Sequence, residues 1–456
     1  MSIRTSPAIV VVAICLLGST ASAQSPPTVE ELLRLIDAQQ TLIDEQGRRL
    51  DALEKQLHDL RSDQVAATAT DGQRPPATDT DERGQQPEAP ADVVAGDFPG
   101  SFRIPGSDAA FKLGGLVRVN WVTTLKPLLV DDRFITADIP VDVANAPVGG
   151  RVDVMAIPSR FNLDLRTPTG VGYVRAYLEA DFAGSGNTLR LRHAYGQWRR
   201  LLFGQTWSTF ADPEAEPDGI DFEGLNAIVR FRQPQVRWTW NTTEHVRVAL
   251  ALENPDVEIT GLTAANQRPD VVARIRWQAA DQQHLQAAVL LRQLRGFPSS
   301  TAANIVGAEG WGVTASGRWP SPLRRKQDRV LFQVNHGAGI GHYVTDLTAA
   351  GGQDGVYDAA TNSVQPLRAL SGFAGYEHWW TDRFHSTVSA GGVVVRNVGI
   401  QPGDAYHLTR RYSTNFMWSP IPRLDLVTEF LTGIRINKND HRDRASQIQI
   451  GSTFRF

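Results

Sequence analysis

From Phe111 to the C-terminus, apolar and polar side chains alternate with period two in segments of about ten residues separated by turn residues. The last segment, Gln447-Ile448-Gln449-Ile450-Gly451-Ser452-Thr453-Phe454-Arg455-Phe456, has one face suited to lipid, one suited to water, and a terminal phenylalanine. Sixteen such segments are read: 111–124, 157–167, 172–183, 189–198, 201–207, 234–241, 245–253, 270–278, 284–292, 310–319, 329–338, 370–380, 384–395, 406–417, 422–434 and 446–456. An even count with alternating short and long connections predicts an all-β, 16-stranded antiparallel transmembrane barrel over 100–456. Closure removes the unpaired strand edges that hydrocarbon does not tolerate. Short turns such as Pro168-Thr169-Gly170, Asn241 to Glu244 and Thr381-Asp382-Arg383 are expected on the periplasmic side. The longer loops 126–156, 208–233, 255–269, 294–309 and 339–369 are expected outside or in the lumen. Trp121, Trp238, Trp240, Trp277, Trp311, Trp319, Trp379, Trp380 and Trp418 fall near segment ends, where interfacial girdles form.

Before the barrel the pattern changes twice. Residues 1–23 carry Arg4, an apolar run from Ala8 to Gly18 and the small-residue end Ala21-Ser22-Ala23, which reads as a secretory signal cut before Gln24. Residues 28–62 show five heptads, with Val29, Ile36, Ile43, Leu50 and Leu57 at a and Leu32, Gln39, Gln46, Leu53 and Leu60 at d. That seam predicts a coiled coil, which needs partner chains and is expected in the periplasm. Residues 63–99 are rich in Pro, Asp, Thr, Gln and Ala and read as a disordered linker.

The chain is 41% hydrophobic and 21% charged, with a net charge of -3. A mean hydropathy of -0.26 fits a barrel whose strands give half their positions to a watery lumen. The single cysteine, Cys15, lies in the leader, so the mature chain has no disulfide or thiolate-metal chemistry.

Parity assigns the lumen. In 189–198, Leu189 and Leu191 face outward while Arg190 and Arg192 face the pore. The same rule turns Arg118, Arg160, Arg166, Arg175, Arg237, Arg247, Arg274, Arg276, Arg292, Arg318 and Arg411 inward, against fewer acids: Asp164, Glu179, Asp181, Glu253, Asp425 and Glu429. Arginine stays charged at every relevant pH and its forked donors match carboxylates, so an anion-favouring lumen is expected. Loop 208–233 brings Asp212, Glu214, Glu216, Asp218, Asp221 and Glu223, stiffened by Pro213 and Pro217. Folded inward, it would narrow the lumen as a constriction loop and set its carboxylates across from the arginine wall.

The run His193–Val236, HAYGQWRRLLFGQTWSTFADPEAEPDGIDFEGLNAIVRFRQPQV, resembles the DcaP-like family of trimeric outer-membrane porins, most closely in LLFGQTWSTF, DFEG and RQPQV. The order of heptads, linker, barrel and terminal Phe456 resembles that family as well. The resemblance implies three chains with a pore each, a periplasmic coiled coil, and transport of small anions such as dicarboxylates. It also implies that Gln205, Thr206, Trp207, Ser208, Asp212, Asp221, Phe222 and Glu223 sit in or beside the inward loop. Phe456 is the expected assembly signal of outer-membrane barrels.

Two alternatives remain at this level: an outer-membrane hydrolase, and an envelope tether that uses the coiled coil. No Gly-x-Ser-x-Gly turn or nucleophile spacing supports the first. The arginine set argues against a bare anchor. His336 with His342, and Glu377 with His378, lack ligand spacing, so no metal and no cofactor are expected. The sequence predicts a passive porin with small anionic solutes, outer-membrane lipid and copies of itself as partners, a possible periplasmic contact through the coiled coil, and no nucleic acid.

Overall fold

The computed structural model describes residues 95–279, 283–298, 305–321 and 327–456. The signal, coiled coil and most of the linker lie outside these residues.

Sixteen strands form the barrel: β1 Ala110–Lys126; β2 in two pieces, Arg151–Met155 and Arg160–Thr169; β3 Gly172–Asp181; β4 Arg190–Trp198; β5 Leu201–Trp207; β6 Arg232–Asn241; β7 Val246–Glu253; β8 Asp270–Gln278. Then follow β9 His284–Phe297; β10 Val306–Pro320; β11 Arg329–Ala338; β12 Arg368–Thr381; β13 Phe384–Arg396; β14 Tyr406–Ile421; β15 Leu424–Asn437; and β16 Arg442–Arg455. Each pairs antiparallel with its sequence neighbour, and β1 pairs with β16 from Leu116 opposite Arg455 to Lys126 opposite Ser446, which closes the ring. All sixteen expected segments are strands. Their loop-side ends extend beyond the alternating stretch in β9, β10, β15 and β16, because backbone pairing continues past the level where one face must be apolar. Strand β2 begins at Arg151, inside the expected loop 126–156, and breaks over 156–159, around Pro158, which has no N–H to give the ladder, so the expected strand 157–167 resumes only at Arg160. There the Ser159 hydroxyl stands in, accepting from Arg118 N at 3.0 Å and donating to Arg118 O at 3.2 Å.

Parity holds along the strands: Val119 and Trp121 are exposed on the outer face, while Asn120 and Val122 are buried inside. Trp121, Trp238, Trp240, Trp277, Trp311, Trp319, Trp380 and Trp418 are exposed on that outer face. Trp379 departs from the expected girdle. It follows His378 by one position, faces the lumen, and stacks on His385 with ring centroids 4.3 Å apart.

A barrel has no sheet-on-sheet core, and the apolar core here lies inside it. Segments of three loops, 127–150, 208–231 and 339–367, pack against the inner faces of β8, β9 and β12 to β14 through Phe210, Leu225, Ile228, Val229, Ile340, Val344 and Leu347. Loop 127–150 continues the plug over β15 and β16 with Leu128, Phe134 and Ile139 against Leu431 and Ala445. Loop 339–367 carries a short helix, Thr345–Ala349, and a hairpin, Gly355–Asp358 with Ser363–Pro366, whose first strand pairs parallel with Ile259–Thr260. These loops therefore fill one side of the lumen.

Candidate functional site

Loop 208–231 runs through the lumen as irregular backbone, so its amides and carbonyls need partners there. The barrel wall supplies them from inward amide side chains. Asn120 donates to Ile220 O at 3.0 Å, Gln286 to Ala211 O at 3.0 Å, Asn335 to Ala227 O at 3.0 Å and Asn415 to Asp218 O at 2.7 Å. Val229 N donates to Gln333 Oε1 at 2.7 Å, and Ile220 N to Glu429 Oε2 at 2.7 Å. At the base of the loop, Glu253 accepts from the Ser208 hydroxyl and from Thr209 N, both at 2.6 Å. These Asn and Gln residues on β1, β9, β11 and β14 share the inward parity of the arginines but were not singled out in the sequence; their role as anchors appears only once the loop is in place.

Each loop carboxylate sits beside a cationic or imidazole group. Asp212 accepts from the Ser316 hydroxyl at 2.6 Å, lies 2.8 Å from His284 Nε2 and 3.3 Å from Arg276, which also reaches Glu214. Glu216 pairs with Arg230 at 2.6 Å, Asp218 with His385 at 3.4 Å, Asp221 with Arg411 at 2.9 Å, and Glu223 with Arg133 at 3.8 Å. Burial would raise the Asp212 and Asp218 carboxyls, but His284 and Arg276 at the first and His385 at the second outweigh it and hold both below the usual range. Burial raises Glu223, with Asp221 and Asp346 adding to the shift and Arg133 and Arg230 opposing it.

The loop runs inside the ring of strands, where Asp212 and Asp221 are engaged by β8 and β14 instead of facing the arginines of β1 to β4. A buried carboxylate needs a nearby counter-charge, and the plugged side of the lumen provides it.

The open side holds the other expected residues. A chamber of about 330 Å³ lies between the loop stretch Pro213–Arg230 and a wall made by Arg118, Arg160 and Arg192. Arg192 contacts Glu179 at 2.6 Å and Asp181 at 3.0 Å; Arg190 contacts Asp181 at 2.7 Å; Arg160 stands 3.8 Å from Glu179. A bulge in the β3–β4 pairing opposes Glu179 to His193 and Ala180 to Leu191. Arg192 and His193 are consequently both buried on the lumen side, which strict parity does not foresee. Arg118 differs from its neighbours: its Nε donates to Thr453 Oγ1 at 3.0 Å, and no carboxylate lies within 4.0 Å among the described residues.

An adjoining cavity of about 290 Å³ is lined by Arg133, Arg190, Arg192, Arg230 and Arg232 with Phe222 and Glu223. Arg232 lies over the Trp207 ring, 4.4 Å from its centroid, and has no carboxylate within ion-pair distance among the described residues. Arg133, Arg230 and Arg232 were not singled out in the sequence. The first two are loop residues, where parity says nothing, and Arg232 sits where the strand had not been expected to begin.

The remaining arginines separate by position. Arg166 and Arg175 share Asp164, each at 2.8 Å, near the turn between β2 and β3. Arg237, Arg247 and Arg274, on β6 to β8, have no carboxylate within 4.0 Å among the described residues. Arg276 is buried at its contacts with the loop and is not an open part of the lumen wall. At the closing seam Phe456 exchanges backbone bonds with Gly115, at 3.1 and 3.3 Å, extending the β1–β16 pairing to the last residue.

The strand-closed ring has counterparts in known proteins. The family model described as DcaP outer membrane protein matches residues 104–456. The chain belongs to this family. The outer membrane channel DcaP of Acinetobacter baumannii superposes with a TM-score of 0.67 at 21% identity, covering 80% of this chain and all of that one. An anion-selective porin from Comamonas acidovorans superposes with a TM-score of 0.52 at 10% identity, covering 76% of this chain and all of the other. No curated protein matches the sequence. As a DcaP-family member the protein is a porin of the bacterial outer membrane and not an enzyme, so the hydrolase alternative falls.

Proposed function

We propose that this DcaP-family porin passes small anionic, carboxylate-bearing solutes by diffusion through the arginine-walled chamber, as a homotrimer with one pore per chain. The carrying observation is the charge left over after pairing. In and beside the chamber the loop carboxylates have basic neighbours, and Glu429 is hydrogen-bonded to the amides of Ile220 and Asp221. Arg118 and Arg232 have no such counter-charge. A guanidinium that keeps free donors offers a passing carboxylate a charge-assisted contact without first breaking an internal pair. Arg160, Arg190 and Arg192 add positive charge to the same wall, shared with Glu179 and Asp181. The Comamonas porin of the same fold is anion-selective, but that likeness supports the architecture; the selectivity argument rests on these residues.

The test is the reversal potential of the reconstituted protein under a salt gradient, for wild type and for Arg118→Gln with Arg232→Gln. Anion preference in the wild type that falls in the variant supports the reading. Cation preference in the wild type overturns it and assigns control to the loop acids.

A further inference from the structure

The outer face of β12 to β16 carries a second arginine set that the pore does not use. Arg368, Arg396, Arg410, Arg442 and Arg444 are exposed, and all sit at outward positions toward the long-loop end. Arg368 and Arg396 are directly opposite each other in the β12–β13 pairing, a like-charge juxtaposition that costs free energy unless an anion lies between or beside them. None of the five side chains has an ion pair or hydrogen bond among the described residues. The outward positions of these strands include no acidic residue at all. Arg295, by contrast, is engaged by Gln267 at 3.0 Å.

Their height is informative. Trp380 and Trp418 mark the turn-side girdle on β12 and β14. At about 3.4 Å per residue and a tilt of about 40°, Arg410 stands roughly 20 Å above Trp418 and Arg368 roughly 30 Å above Trp380. The apolar band of such barrels is about 25 Å tall, so the arginines straddle its outer edge, where lipid headgroups lie. Directly below them is a shallow trough of about 330 Å³ lined by Val334, Leu370, Gly372, Gly392, Val394 and Arg410. It exists because Gly372 and Gly392 face each other across β12 and β13, leaving no side chain on the outer surface there.

We propose that this face binds a phosphorylated lipid of the outer leaflet, with phosphate held by the arginines and an acyl chain in the glycine trough. Guanidinium forks match phosphate oxygens, and an apolar trough ending in cations fits an amphiphile with an anionic head. A second copy of the chain would have to bring acids to this face, and the apolar trough asks for none.

The full-length protein, exchanged into non-ionic detergent, is titrated with bis-phosphorylated lipid A and with its dephosphorylated form. Wild type is expected to prefer the phosphorylated lipid by about tenfold or more, and Arg396→Gln/Arg410→Gln/Arg444→Gln to lose that preference. Gly392→Val is expected to weaken both lipids alike; a Cβ there meets only Thr409 O at 3.5 Å, so the strand accommodates it. Circular dichroism and single-channel conductance should be unchanged in both variants. Equal binding of the two lipids by wild type, or variants that bind as wild type does, overturns the proposal. So does a triple variant whose sedimentation mass falls, which would make this face a contact between copies of the chain.

Discussion

Arg118 and Arg192 line the same chamber in different electrostatic states. Arg192 is buried, with Glu179 and Asp181 within 3.0 Å, so Arg192→Gln leaves two carboxylates short of a partner. A loss of about 1–2 kcal/mol is expected, with Arg160 and Arg190 limiting it, read as a lower temperature of barrel unfolding in detergent. Arg118→Gln removes a cation with no carboxylate partner; it should leave that temperature within about 0.5 kcal/mol equivalent of wild type while lowering the anion-to-cation permeability ratio roughly two- to threefold. Equal effects of the two substitutions on both readouts would contradict this division. Glu223 adds a pH dependence. Its carboxyl is raised by burial and by Asp221 and Asp346, so on acidification it takes up its proton above the ordinary glutamate range while Asp212 and Asp218 remain charged. Negative charge then leaves the arginine-rich cavity first, and anion preference should rise as the pH falls through the window just above the ordinary glutamate range. Glu223→Gln should show the acid-like preference at pH 7 and no change through that window; a variant that still titrates there would assign the effect elsewhere.

At the scale of elements, the inward loop is held by lumen-facing side chains of the strands. Asn120, Gln286, Gln333, Asn335 and Asn415 share the inward parity of the arginines but were not singled out in the sequence, whereas all sixteen strands were visible because alternation is imposed locally by lipid on one side and water on the other. What alternation does not carry is pairing between distant segments: which wall Asp212 meets, that the break at Pro158 hands Arg118 to the Ser159 hydroxyl, or that a bulge turns both Arg192 and His193 inward. Trp379 was misplaced for a related reason, since adjacent tryptophans cannot share a face and sequence does not say which one lipid takes. The anchoring of the loop has its own consequence. Asp212 is depressed by His284 and Arg276, so its contribution to stability is present above the unfolded carboxylate pKa and is lost only as pH falls through its lower folded value. The loop should therefore stay docked at pH 5. Asp212→Asn removes the counter-charge of Arg276 and one carboxylate oxygen from His284 and Ser316, and should give noisy, partly open conductance at neutral pH, measurable as excess current variance; quiet wild-type-like traces would show that the amide anchors suffice.

For the molecule as a whole, the apolar plug and the arginine wall are carried mostly by different strands of one barrel, with Ser389, Arg411 and Ser413 of β13 and β14 lining the chamber from the plugged side. Strands β8, β9 and β12 to β14 carry the plug, whereas β1, β2 and β4 carry Arg118, Arg160 and Arg192. Pore properties should accordingly belong to each chain, and association should be governed by other surfaces. We propose the heptads of 28–62 for part of that association: their five a and d pairs, with Gln39 and Gln46 in the middle of the seam, have the pattern of a coiled coil in which buried polar residues set register at some expense in stability. Removing residues 28–62 should then lower the temperature at which oligomers dissociate in mild detergent, while each conductance step keeps its size and ion preference. Replacing Gln39 and Gln46 with leucine in the full chain should raise that temperature. If the deletion leaves dissociation unchanged but the leucine variant alters it, the heptads act on a partner other than this chain; if step size changes in either variant, conduction is not the property of the single barrel that the separation of plug and wall implies.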